Sequence, residues 1–288
     1  MDIITKEFRS KNGIIKISCI QTGKLAVKES VYNTQKQGFL STLKSFWDKN
    51  YCEWLPVYTF LIEHPEGVFL IDTGITSDVK KKAHFKNIDV VSRYYFTNQM
   101  LFDVRVEEEI HNQLHTIGLK TEVIDKVILT HLHVDHTSGL KYFPSNEILV
   151  NQKEWDTMDS SFPKLFPKNQ IFSKVKMADS FENFNNAHFV TDAKDLIMIE
   201  TPGHTRGHCS IILKINENQF IVFGGDVAYN EYRLFNKQFS STIKSQKENR
   251  NSCDAIIEFA RNNNTIFLSS HDSENAKRLV ENIQLKVP

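Results

Sequence analysis

Thr130-His131-Leu132-His133-Val134-Asp135-His136 is the stretch that decides how this chain is read. It sets three imidazoles and one carboxylate within six residues. The apolar run over 126–129 ahead of it reads as a strand, and Thr137-Ser138-Gly139-Leu140 behind it reads as a helix start. Strand alternation puts His131 and His133 on one side of the strand end. The turn that follows can bring Asp135 and His136 round to a neighbouring position. Neutral imidazoles with a carboxylate suit Zn2+, Fe2+ or Mn2+ and need no soft ligand. A burying fold would have to satisfy every ring nitrogen, and a surface loop gains nothing from such a cluster. It therefore reads as metal-binding.

One cluster rarely fills the shells of two ions, and three further candidates stand at the ends of apolar runs. His204 lies in Thr201-Pro202-Gly203-His204-Thr205-Arg206-Gly207-His208, Asp226 in Phe223-Gly224-Gly225-Asp226, and His271 in Phe267-Leu268-Ser269-Ser270-His271-Asp272. The shared pattern is apolar strand, small residue, ligand. Glycine and serine at those places let backbones crowd round an ion.

Outward from these motifs, the chain alternates short strands (14–20, 58–62, 67–71, 126–129, 196–199, 210–215, 219–223, 265–268) with helical segments. One such helix is expected over 106–119, closed at Gly118. That alternation predicts α/β layers with helices on sheets. No low-complexity linker divides the 288 residues, so one domain over 1–288 is expected. Residues 156–190 read as a polar insertion or long loop. Lys+Arg and Asp+Glu both number 35, so no net basic field points to nucleic acid or anionic lipid. No run of about 18 apolar residues predicts a membrane span. The first ten residues lack a signal-peptide core, which makes the cytoplasm the expected compartment. Cys19, Cys52, Cys209 and Cys253 form no CxxC pair, which argues against a thiolate zinc ribbon or a dithiol redox motif.

Taken in order, these motifs resemble those of the metallo-β-lactamase superfamily: HxHxDH at 131–136, Pro-Gly-His at 202–204, Gly-Asp at 225–226 and Ser-His at 270–271. The resemblance runs from Leu70-Ile71-Asp72-Thr73-Gly74 to His271. It implies an α/β fold, the αβ/βα four-layer sandwich, with two mixed β-sheets face to face, helices outside and metals at one sheet edge. It also implies two divalent metal ions per chain, zinc foremost. His131, His133 and His204 would hold one; Asp135, His136 and His271 would hold the other; Asp226 would bridge them. Asp226 argues against the zinc β-lactamases, which place Cys near that position or lack the bridging carboxylate. His133 argues against flavo-diiron proteins, which carry Glu there. Glyoxalase II-type thioesterases and RNase Z-type nucleases keep all seven ligands, but no Lys/Arg-dense segment here offers a tRNA exosite.

Tyr229, three positions after Asp226, discriminates further. It resembles the active-site tyrosine of N-acyl-homoserine lactone hydrolases, although an ordinary packing tyrosine also fits that place. Ser138 departs from the Gly of many relatives. The resemblance thus implies a lactone hydrolase with a small-molecule substrate. Its ring opening would use a metal-bridging hydroxide, with Asp135 carrying the proton and Tyr229 meeting the oxyanion. A glyoxalase II-like thioesterase or another metal-dependent esterase is the alternative.

Other residues take supporting places. His208 and Asp72 are expected behind the ligands. His111 and His115 share a helix face but lack the Glu of a zincin, Asn112 standing in its place, and read as a surface pair. His64, His84 and His188 are expected to face solvent. An acyl tail needs an apolar trough, for which Tyr94, Tyr95, Phe96 and Met100 are candidates. An amphipathic helix over 39–47, with Phe46 and Trp47, could form its other wall, lie on the core or serve a homodimer contact.

Overall fold

Uninterrupted apolar runs become strands buried on both faces, as expected where helices cover a sheet. In Leu196-Ile197-Met198-Ile199, Leu196 and Met198 enter one hydrophobic cluster while Ile197 and Ile199 enter another. The computed structural model describes residues 3–33 and 47–287. In its first sheet the order is β1 (Ile4–Ser10), β2 (Gly13–Val27), β3 (Leu55–His64), β4 (Gly67–Ile71), β6 (Lys126–Ile128), β7 (Glu147–Asn151) and β8 (Ile171–Val175), with β5 (Met100–Asp103) pairing β2. Pairing is antiparallel from β1 to β4 and parallel from β4 to β8. The second sheet runs β14 (Asn264–Ser269), β13 (Gln219–Gly225), β12 (Cys209–Asn216), β11 (Leu196–Glu200), β10 (Phe184–Phe189) and β9 (Asp179–Phe181).

The sheets face each other across a core in which the Phe60 and Phe223 rings meet at 5.0 Å. Helix Ile110–Thr116 covers the outside of the first sheet through Ile110 and Leu114. Helix Gln246–Asn262 covers the second through Ile256, Ile257 and Phe259. The result is the αβ/βα sandwich. At one edge the sheets are tied together directly: Cys209 N–H donates to the Thr130 carbonyl and Tyr58 N–H to the Ser270 carbonyl, each at 2.9 Å. Strands β6, β11, β13 and β14 all end there.

Several local expectations need correction. The helix over 106–119 is broken: a 3-10 turn at Val106–Glu108 precedes the helix Ile110–Thr116. Glu109 between them is extended, and its buried carboxylate accepts from Ser77 N–H and Tyr142 O–H. Residues 156–190 carry β8 and β9, at sheet edges, and β10 beside β9, short strands whose mostly exposed or half-buried residues hid their period. His64 is buried, its Nε2 3.3 Å from Asp195 Oδ1. His111 is half-buried under the Tyr142 ring, at 3.6 Å. All four cysteines are buried and unpaired. Among the described residues no helix is long and apolar enough to cross a membrane. The amphipathic helix expected over 39–47 lies outside the described residues except for Trp47.

Candidate metal centre

Each candidate ligand follows a strand end at the tied edge: His131 to His136 after β6, His204 after β11, Asp226 after β13 and His271 after β14. Their ligating atoms form two groups, His131, His133 and His204 in one and Asp135, His136, Asp226 and His271 in the other. Within each group the atoms lie within 4.8 Å of one another. Asp226, a member of the second group, also reaches His204 of the first. Its Oδ1 lies 3.4 Å from His136 Nε2 and 3.3 Å from His271 Nε2, while its Oδ2 lies 3.4 Å from His204 Nε2. Asp135 Oδ2 stands 3.6 Å from His136 Nε2 and 3.4 Å from His271 Nε2.

These separations are long for hydrogen bonds. They match the edge of a coordination tetrahedron, since two ligands at about 2.0–2.2 Å from one ion stand roughly 3.3–3.5 Å apart. Nε2 of His131 and His136 and Oδ1 of Asp226 are buried with no hydrogen-bond partner. Buried polar atoms without partners are costly. His204 Nε2 and His133 Nδ1 meet at 2.9 Å. Convergent, with three buried atoms unpartnered, and imidazole and carboxylate in kind, this set fits divalent ions.

Outer partners aim the rings. His136 Nδ1 faces Asp72 Oδ2 at 2.8 Å, His271 Nδ1 donates to the Pro56 carbonyl at 2.8 Å, and His131 Nδ1 meets Thr130 Oγ1 at 3.1 Å. With Nδ1 engaged, Nε2 is left to face the centre. Asp72 adopts φ 57°, and its carboxylate also accepts from Thr130 N–H at 2.9 Å and Thr130 O–H at 2.8 Å. His208 spends both nitrogens on the frame, on Thr201 Oγ1 at 2.9 Å and on the Asp226 N–H at 3.0 Å. It holds the Asp226 backbone. Gly225 must be glycine here, because at φ 57° a Cβ would stand 2.7 Å from His208 Nε2.

Glu154, on helix Gln152–Thr157, joins two ligand loops. Its Oε1 accepts from Leu132 N–H at 3.0 Å, between His131 and His133. Its Oε2 accepts from Thr205 O–H at 2.6 Å and Gly207 N–H at 3.2 Å, beyond His204. Nothing in the sequence marked it, since a charged helix residue ordinarily faces water.

Burial, then the neighbouring imidazoles, holds His131 well below the usual histidine range, and burial does the same for His204 and, to a lesser degree, His133. All three are held neutral, the form in which imidazole can bind a metal. His136 and His271 move the other way. Burial disfavours their charge, but Asp72, Asp135 and Asp226 outweigh it for His136, and Asp226 with Asp135 brings His271 to about 10. An ion bound in that group would therefore displace protons.

A cavity of about 590 Å3 opens on the centre, with His133, Asp135, His204, Asp226 and His271 in its floor. Its walls include Leu25, Val27, Leu55, Tyr95, Phe96 and Met100. Of the expected tail contacts, Tyr95, Phe96 and Met100 line it. Trp47 and Tyr94 do not, being 76% and 46% exposed, and Phe46 lies outside the described residues. Tyr229 also lines the cavity, edge-on to His271 at 5.1 Å and to His204 at 6.4 Å. Burial, and then Asp226, pushes its phenol well above the usual range, so it stays protonated.

A family model described as the metallo-beta-lactamase superfamily matches residues 52–277. This chain belongs to the metallo-beta-lactamase superfamily. Within the superfamily it is similar to the N-acyl homoserine lactonase of a Bacillus species, 26% identical over 64% of this chain and 68% of that protein. To the Bacillus cereus lactonase it is 25% identical, the match covering 61% of this chain and only 65% of that one, just under two thirds of its length. The lactonase AttM of Rhizobium radiobacter is 24% identical over 76% of this chain and 83% of its own. Among solved structures, an N-acyl homoserine lactone hydrolase with N-hexanoyl-L-homoserine at its catalytic metal center superposes with TM-score 0.72 at 19% identity, covering 94% and 96% of the two chains. The dizinc quorum-quenching lactonase AidC gives 0.60 at 14% identity, covering 93% and 90%. At those identities the structures speak to the fold alone.

Asp72 provides a test of how this superfamily member holds its second group. Asp72→Ala is expected to weaken metal retention there about 10–100-fold, read by competition with a graded chelator. Retention equal to wild type would mean that His136 needs no outer partner.

Proposed function

We propose that this chain is a single-domain di-metal hydrolase that opens the lactone ring of N-acyl-homoserine lactones. The observation that carries this reading is the placement of Asp226. Its two carboxylate oxygens face the two ligand groups separately, beside Tyr229 and at the floor of an apolar cavity. The lactonase relatives support the substrate class. His131, His133 and His204 would hold one ion, Asp135, His136 and His271 the other, and Asp226 both. Zn2+ suits the donor set best. When bound, such ions polarise a carbonyl and lower the pKa of water.

The chain's own groups divide the remaining work. The protonated Tyr229 hydroxyl donates to the ring carbonyl oxygen as negative charge develops there. Asp135, whose side chain is 15% exposed beside the cavity, takes the proton of the attacking water and returns it to the leaving alkoxide. One C–O bond forms, the ring C–O bond breaks, and the product is the N-acyl-homoserine. Leu25, Val27, Leu55 and Phe96 exclude water from the acyl tail. Lys244 is the one lysine or arginine among the described lining residues, which suits an uncharged tail better than the carboxylates of a glutathione thioester.

The test is kcat/KM of metal-replete protein on acyl-homoserine lactones against a glutathione thioester. Lactones should be preferred, and a thioester preference would move the chain to the glyoxalase II-like reading. KM should also fall as the tail lengthens from four carbons, since each buried methylene is worth up to about 0.8 kcal/mol before the cost of ordering it. A flat series would place Tyr95 and Phe96 in packing alone.

A further inference from the structure

Tyr229 is backed by a second layer. Tyr32, the last residue of helix Glu29–Tyr32, stacks on it with centroids 6.0 Å apart and planes within 9° of parallel. The Arg233 guanidinium sits over the Tyr32 ring, 3.6 Å from its centroid. Arg233 is 4% exposed, and among the described residues its guanidinium donates to the Tyr32 carbonyl at 2.9 Å and Asn33 Oδ1 at 2.7 Å. A ring, a carbonyl and an amide oxygen satisfy this buried cation in place of a carboxylate. Such a cation is costly to bury, so its contacts hold Tyr32 firmly. Arg233 also belongs to helix Glu231–Asn236, which begins two residues after Tyr229 and is capped by Asn230. Ring and backbone of Tyr229 are thus tied to one element.

The other contacts of Tyr229 orient it less. Its hydroxyl reaches Ser240 Oγ only at 3.4 Å, a weak bond. The His204 and His271 rings meet it edge-on, at 6.4 and 5.1 Å, and stack on neither face.

We propose that Tyr32 and Arg233 are positioning residues that set the tilt of the Tyr229 ring, and so the place where its hydroxyl meets the substrate carbonyl. This rests on the reading above that the hydroxyl acts in ring opening. A misplacement of about 1 Å at such a group can cost on the order of 10²-fold in rate, and a loosened stack should cost less.

The test is a double-mutant cycle on an acyl-homoserine lactone, with metal content measured on every variant. Tyr32→Leu should lower kcat about tenfold, with KM within about twofold and metal content unchanged. Tyr32→Phe, which keeps the stacking face, should restore most of kcat. In a Tyr229→Phe background Tyr32→Leu should have no further effect, because the hydroxyl it positions is gone. Arg233→Met enters the same cycle if Tyr32→Leu does not accumulate as folded protein. An equal loss from Tyr32→Leu in both backgrounds, or no loss in either, overturns the positioning role while leaving lactone hydrolysis standing. A Tyr229→Phe enzyme as fast as wild type overturns the role of Tyr229 first, and the positioning role with it.

Discussion

Asp226→Ala is expected to lower kcat/KM on a lactone by about 10³-fold or more, and to reduce bound metal from two ions to one or fewer. The second group loses a member and the first a contact at once. His136 and His271 lose the oxygen they face at 3.4 and 3.3 Å, and His204 loses the one at 3.4 Å. No other described carboxylate stands within 4 Å of ligand nitrogens in both groups, since Asp135 comes that close to His136 and His271 but to no nitrogen of the first group. Elemental analysis beside steady-state kinetics reads the result. Two ions retained, with the rate within tenfold of wild type, would reduce Asp226 to a packing residue.

Glu154→Ala is expected to destabilise the protein by about 3 kcal/mol, because each of three buried donors left without a partner costs about 1–3 kcal/mol. Those donors are Leu132 N–H, Thr205 O–H and Gly207 N–H, at 3.0, 2.6 and 3.2 Å. Relief of carboxyl burial offsets part of the loss. Burial pushes Glu154 from 4.5 up to about 7, against the hydrogen bonds that pull it down. The native state therefore holds this proton where the unfolded chain has lost it. The group's contribution is fully present below pH 4.5 and falls as pH rises towards about 7. Denaturant unfolding should accordingly show a larger loss for Glu154→Ala at pH 5 than at pH 8. A loss under 1 kcal/mol at both would mean that other contacts clamp the two loops.

The seven candidate ligands were legible because each stands just past an apolar run, and strand ends gather at one edge of a sandwich. The second sheet was legible for a related reason: β11, β12 and β13 are nearly continuous apolar runs. What escaped depends on partners distant in sequence. Leu25 and Leu55 line the cavity because β2 and β3 pair in register across it, and neither carries a local mark. Tyr94 and Tyr95 are adjacent, so only the rotational phase of helix Val90–Asn98 decides which one faces the cavity. The break at Glu109 follows from Ser77 and Tyr142, each more than thirty residues away. Glu154, Tyr32 and Arg233 look like surface residues until the fold buries them.

The most direct test of the central claim is a titration of metal-free protein with Zn2+ while ring opening of an N-acyl-homoserine lactone is followed. The two ligand groups joined by Asp226 predict that activity returns and saturates at two equivalents per chain. Saturation at one equivalent, or no lactone hydrolysis at any loading, would contradict it.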